Sequence, residues 1–131
     1  MHTIFSDGSE APESVVEESC HAGLACISIT DHDTMAAVKA AKSAAVEWGI
    51  EVIPGIELST QVQGKDIHIL GYFMEIENPL LVQKLEEFRL TRFARIAGMI
   101  ENLKKQGIDN LSFEDIKAGS KSDALGRPHL A

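Results

Sequence analysis

The sequence predicts an α/β fold that gives way to helices, and three observations carry the prediction. An apolar run, residues 24–29, is followed by the polar cluster Thr30-Asp31-His32-Asp33-Thr34 and then by an alanine-rich stretch ending at Trp48. Two segments that alternate or run apolar, 57–62 and 66–73, flank Gln63-Gly64-Lys65, the pattern of a β-hairpin. After Pro79, the residues Leu85, Phe88, Ile96, Met99, Ile100 and Leu103 recur at three- and four-residue steps, the period of a long amphipathic helix.

Taken in order, residues 3–11 are polar, contain Gly8 and read as a loop. Pro12 suits the first turn of a helix and Gly23 its end, with Val15, Val16 and Cys20 as the apolar stripe. The run 24–29 then reads as a buried strand. Asp33 or Thr34 is placed to cap a helix from Met35 to Trp48, ended by Gly49. Residues 50–53 read as a short strand closed by Pro54-Gly55, and the hairpin follows. Strand–helix–strand order implies parallel pairing. Beyond the long helix, which stops near Gly107, Ser112 and Asp115 resemble a weak capping box before a short helix. Residues 119–126 read as a loop, and Gly126-Arg127-Pro128-His129 opens a further helix.

The chain has 131 residues, enough for one modest domain with a core, and carries a net charge of −8. That charge is uneven. Residues 1–75 hold twelve Asp/Glu against three Lys, which is −9; residues 76–131 hold eight acidic and nine basic residues, which is +1. The first part would repel duplex DNA. No apolar run approaches membrane-spanning length, so no membrane partner is expected. Cys20 and Cys26 are too far apart for a Cys-x-x-Cys motif; they read as two reduced core thiols of a cytoplasmic protein, with a disulfide as the alternative.

The chemistry gathers at predicted strand ends. In order come His2, Asp7, His32, Glu57 and His68. Ionisable side chains at the exit of buried strands are expensive unless paired or metal-bound, and strand exits are where α/β folds build sites. Mixed imidazole and carboxylate donors suit zinc, manganese or iron(II). Ions close together in such a site serve phosphate ester hydrolysis. Each residue also has a plainer reading: His68 as a hydrogen-bonded core histidine, Asp31 or Asp33 as a helix cap, Glu57 and His21 as surface residues. Arg89, Arg92 and Arg95, three apart, read as a solvated face paired with Glu86 or Glu101 rather than a phosphate clamp.

Five motifs in order resemble the PHP (polymerase and histidinol phosphatase) superfamily. Met1-His2-Thr3-Ile4-Phe5-Ser6-Asp7-Gly8 is similar to the end of its opening Asp-x-His-x-His motif and the loop after it. Residues 29–34 match the second motif, Pro54-Gly55-Ile56-Glu57-Leu58-Ser59 the third and Asp66-Ile67-His68-Ile69-Leu70-Gly71 the next. Gly126-Arg127-Pro128-His129 resembles a motif in the helical insertion of the stand-alone phosphoesterases, which include nucleoside 3′,5′-bisphosphate phosphatase and a 5′-to-3′ ribonuclease.

The resemblance implies part of a distorted (β/α)7 barrel over residues 1–77 and an incomplete helical insertion over 78–131. It implies two or three divalent ions (Mn, Zn or Fe). His2 and Glu57 would serve one, Asp7 and His32 a second, and His68 with Glu57 a third. Asp31 and Asp33 would stand behind the ligands, and Arg127 and His129 would face the substrate phosphate. No side chain is the implied nucleophile; metal-activated water is. The expected activity is hydrolysis of phosphomonoesters of small nucleotides or oligonucleotide 5′ ends. The alternatives are a histidinol-phosphatase-like enzyme or a non-catalytic metal-binding module.

The opening Asp and first His of the family have no counterpart here, nor do its late histidine and closing Asp-x-His. The chain therefore reads as the N-terminal portion of a longer protein, or a gene model begun at an internal methionine. Little activity is expected of it alone, and self-association through an open sheet edge is expected.

Overall fold

The computed structural model describes residues 1–119, Ser122 and Leu125. The elements in chain order are α1 (Pro12–His21), β1 (Cys26–Ile29), α2 (Val38–Trp48), β2 (Glu51–Val62), β3 (Lys65–Tyr72), α3 (Pro79–Lys105) and α4 (Phe113–Gly119). The strands form a mixed three-stranded sheet in the order β1-β2-β3.

β2 organises the sheet by changing partners along its length. Residues Glu51 to Pro54 pair in parallel with Cys26 to Ile29 of β1. From Gly55 to Val62 the strand pairs antiparallel with β3, Gly55 opposite Tyr72 and Val62 opposite Lys65. The hairpin turns through Gln63 and Gly64, both with positive φ, as a two-residue primed turn requires.

The expectation that Pro54-Gly55 would end a strand is therefore corrected: β2 runs straight through. Proline lacks an N–H, but Pro54 sits where the pairing switches sides, and its carbonyl is still used, accepting from Met74 N at 3.2 Å. Gly55 is required by close approach. A Cβ there would lie 2.3 Å from Ser28 Oγ and 2.9 Å from Ile29 O.

α1 and α2 pack together, and α2 packs on the sheet. Val15 and Val16 from α1, Ile27 and Ile29 from β1, Val38, Ala41 and Ala45 from α2, and Val52 and Ile56 from β2 build the main core. The alanines of α2 let it approach closely, which explains its composition. α2 starts at Val38 rather than Met35, and neither Asp33 nor Thr34 caps it. Its N-cap is Ala37, with no side-chain bond. The intervening residues are held elsewhere: Met35 is buried in the core, and Asp33 is turned away with φ of 53°.

The thiol expectation also needs correction. Cys26 is exposed and Cys20 half-buried, because strand alternation turns Ile27 and Ile29, not Cys26, inward. Both are free thiols.

α3 spans 27 residues, starting at Pro79 behind the N-cap Asn78, whose Oδ1 accepts from Leu80 N and Leu81 N. Its two halves pack separately. Leu81 and Leu85 touch the main core, while Ile96 and Ile100 join Phe113, Ile116 and Leu125 in a second cluster. Ser112 caps α4, its Oγ accepting from Asp115 N at 3.0 Å. β3 lies at the sheet edge with Ile67, Ile69, Leu70 and Tyr72 all exposed. Among the described residues no helix is long and apolar enough to cross a membrane.

Candidate metal centre

The cluster is assembled by backbone pairing that outlasts β1. Beyond Ile29 the chain stays on β2: Glu57 N donates to Asp31 O at 3.1 Å, and Asp33 N donates to Glu57 O at 3.0 Å. This parallel bridge sets His32 beside Glu57. On the other side of β2, His68 faces Ser59 across the hairpin. Ser59 shares a face with Glu57, two residues away, so His68 is the diagonal neighbour of Glu57.

His2 and Asp7 arrive from the N-terminal loop, which Asp31 holds in place. Asp31 is fully buried and accepts from Thr3 N at 2.7 Å, Thr3 Oγ1 at 2.8 Å and Ser6 Oγ at 2.5 Å. Met1 adds two main-chain bonds along β1, to Ser28 O and from Thr30 N. Gly8 N donates to Thr3 O, closing a loop so tight that a Cβ on Gly8 would meet His2 O at 2.5 Å.

All five expected residues converge. His2 Nδ1 lies 2.8 Å from Asp7 Oδ1, and His2 Nε2 lies 3.0 Å from Glu57 Oε2. His68 Nδ1 reaches Glu57 Oε1 at 2.5 Å. His32 stands between the other two imidazoles, at ring-centroid distances of 4.7 Å from His2 and 4.8 Å from His68. Its Nε2 is 3.5 Å from Asp7 Oδ2 and its Nδ1 is 3.7 Å from Glu57 Oε1. His68 is half exposed, so it is not the core histidine of the plainer reading.

The donor set fits a divalent cation on two grounds. His32 Nδ1 is buried with no hydrogen-bond partner among the described residues, and an orphaned buried nitrogen is costly, about 1–3 kcal/mol. His2 places both ring nitrogens against carboxylate oxygens, whereas a neutral imidazole has only one N–H. One donor atom each from His2, His32 and Glu57 lies within 4.8 Å of the others.

The electrostatics favour the ligand forms. Burial pushes the His32 pKa down, outweighing the pull of Asp7 and Glu57, which favours the neutral form that a metal needs. Burial acts upward on Glu57, yet the His68 hydrogen bond and the charges of His32, His2 and His68 hold that carboxyl below its ordinary range. Asp7 is lowered too; His32 and His2 overcome the opposing effect of burial.

Asp33 plays a part the sequence reading missed. Its Oδ1 accepts from Ser59 N at 2.8 Å and its Oδ2 from Arg92 Nε at 2.5 Å, and the Arg92 and Asp33 side chains are nearly inaccessible to solvent. Arg92 also donates to Ser59 Oγ at 2.6 Å and to Leu125 O at 3.0 Å. The solvated-face expectation is thus corrected for Arg92 and holds for Arg89, which pairs with Glu86 through two bonds. Helical spacing could have revealed this: Arg92 lies four residues before Ile96 and eight before Ile100, on the buried stripe. Arg127 and His129 lie outside the described residues.

The chain is similar to several known proteins. The sequence profile described as the PHP domain matches residues 1–112. The chain is 34% identical over 130 residues to a 5′-3′ exoribonuclease of Haemophilus influenzae, covering 99% of this chain and 47% of that protein. It is 27% identical over 131 residues to a 3′,5′-nucleoside bisphosphate phosphatase of Chromobacterium violaceum, covering 100% of this chain and 46% of the other. A solved structure from Bifidobacterium adolescentis, described as a candidate metal-dependent phosphoesterase, superposes with a TM-score of 0.85 at 31% identity, over 98% of this chain and 45% of that one. The chain spans about half the length of the curated relatives it matches.

Proposed function

The chain belongs to the PHP domain family, in the branch of stand-alone phosphoesterases, and from that membership we propose that its histidine–carboxylate cluster is the metal centre of a phosphoesterase. The reaction we propose is hydrolysis of phosphomonoesters on small nucleotides or oligonucleotide 5′ ends. Residues 1–77 would be the first part of the PHP barrel and 78–131 part of a helical insertion, whose first turns pack on the barrel part through Leu81 and Leu85.

The observation that carries the reading is the convergence of three imidazoles and two carboxylates around the orphaned His32 Nδ1. Glu57 is the shared member: it touches His2 and His68 through different oxygens and lies beside His32. It is therefore placed to serve more than one of the two or three divalent ions (Mn, Zn or Fe) that His2, Asp7, His32 and His68 would hold. When bound, such ions supply Lewis acidity and lower the pKa of water. The protein's own work is to bring the imidazoles and carboxylates together beside the sheet, with Asp31 and Asp33 fixing the two loops that deliver them. Arg127 and His129 are proposed to meet the substrate phosphate.

Elemental analysis of the purified chain after manganese or zinc loading tests the centre. Stoichiometric metal, lost in His32→Ala, is expected; no retained metal would overturn it. Phosphate release from adenosine 3′,5′-bisphosphate and from a 5′-phosphorylated oligoribonucleotide tests the reaction. Failure of the full-length protein, with metal bound, to hydrolyse any phosphomonoester would refute it.

A further inference from the structure

Asp33 and Arg92 form a buried ion pair that the proposed chemistry does not use, and it stands one residue from His32. We propose that Arg92 is a positioning residue of the metal centre. Through Asp33 and Ser59 it aims the donors, so that metal binding and the seating of α3 against the hairpin are one linked equilibrium. This rests on the metal-centre reading above and adds to it a role for α3.

His32 has little of its own to aim it. A metal-bound imidazole is ordinarily oriented by a hydrogen bond on its second nitrogen. His32 Nδ1 has no hydrogen-bond partner among the described residues, and its Nε2 stands 3.5 Å from Asp7 Oδ2. The backbone on either side therefore sets the direction of the ring. The next residue, Asp33, has φ of 53°, a left-handed conformation that persists only where the surroundings hold it. Three bonds hold it here. Asp33 N donates to Glu57 O at 3.0 Å, Oδ1 accepts from Ser59 N at 2.8 Å, and Oδ2 accepts from Arg92 Nε at 2.5 Å.

The same pair reaches the other donors. Ser59 lies two residues from Glu57 and opposite His68 in the hairpin. Arg92 donates to Ser59 Oγ at 2.6 Å while Asp33 takes the Ser59 N–H, so the loop of His32 and the strand of Glu57 are fastened at one point. Arg92 brings that fastening from α3, 59 residues along the chain from Asp33. Its rigid fork meets Asp33, Ser59 and the Leu125 carbonyl at once, which the point charge of an ammonium does not reproduce. Binding a metal between His32 and Glu57 requires the two in register, and so favours a seated α3. By linkage a seated α3 favours the metal.

Cobalt(II) is the probe, because its visible absorption reports coordination geometry. Arg92→Lys, which keeps the charge opposite Asp33, should weaken cobalt binding by about tenfold or more and shift the visible band. Ile100→Ala is the control for stability alone. It loosens the second cluster, which Arg92 and the metal donors do not join, and should keep the wild-type affinity and band. Amide exchange gives the reciprocal reading. Saturating cobalt should slow residues 88–96 of wild-type α3 more than 97–105; in Arg92→Lys it should slow residues 51–58 but not 88–96. If Arg92→Lys does not fold, the wild-type exchange pattern decides. Wild-type affinity and band in Arg92→Lys, an equal loss in Ile100→Ala, or exchange at 88–96 that cobalt leaves unchanged in wild type would overturn the proposal and leave the metal centre standing. A wild-type chain that binds no cobalt would overturn both.

Discussion

Two arginines three residues apart on α3 offer a stringent test of burial as the arbiter of ion-pair strength. Arg89 and Arg92 each contact a carboxylate with short bonds: Arg89 Nε and a terminal nitrogen reach Glu86 at 2.7 and 2.6 Å, and Arg92 Nε reaches Asp33 at 2.5 Å. Geometry alone would rank them alike. The Arg89–Glu86 side chains, however, are 34% and 51% exposed, whereas those of Arg92 and Asp33 are 10% and 2% exposed. An exposed pair three residues apart on a helix contributes about 0.3–0.5 kcal/mol. Removing one partner of a buried pair strands the other charge away from water and costs about 3–5 kcal/mol. Arg92→Ala also leaves Ser59 Oγ and the Leu125 carbonyl without their donor.

The expected ratio between the two alanine variants is therefore close to tenfold in free energy. Urea unfolding followed by far-UV circular dichroism measures it, with Arg92→Lys as an intermediate that keeps charge but loses the fork. The double variant Asp33→Ala/Arg92→Ala should be less destabilised than the sum of the singles, since neither charge is then stranded. Equal destabilisation by Arg89→Ala and Arg92→Ala, or strict additivity of Asp33→Ala with Arg92→Ala, would refute the reasoning.

Gly55→Ala should destabilise by about 1–3 kcal/mol, because its Cβ would press on Ser28 Oγ and the Ile29 carbonyl; thermal unfolding checks it. Ile56→Ala, at a fully buried position in the main core, should cost about 2–5 kcal/mol in the same assay. Asp31→Ala should release the N-terminal loop and raise the amide exchange rates of Thr3 and Gly8 while β1 and β2 stay protected, which hydrogen exchange would reveal. Metal retention should fall as buffer is taken from neutral to mildly acid, since protons compete for the imidazole nitrogens. An unchanged metal content across that range would count against histidine ligation.

The sequence by itself determined the main elements and the family resemblance. Apolar periods of two and three to four gave the hairpin and the long helix, since those periods are the geometry of strand and helix. The ordered motifs around His2, His32, Glu57 and His68 named candidate donors, and the fold brings those side chains together. What only tertiary structure decided was contact between residues far apart in the chain. Arg92 and Asp33 are 59 residues apart; helical spacing could place the arginine on the buried stripe, but no local pattern names Asp33 as its partner. Pro54-Gly55 looked like a terminator because local propensity disfavours both residues in a strand. Their place at the partner switch of β2, and the tight approach of β1, override that propensity. The orphaned nitrogen of His32 is likewise a property of packing: side chains that could hydrogen-bond are everywhere in the sequence, and only the fold shows which one is left without a partner among the described residues.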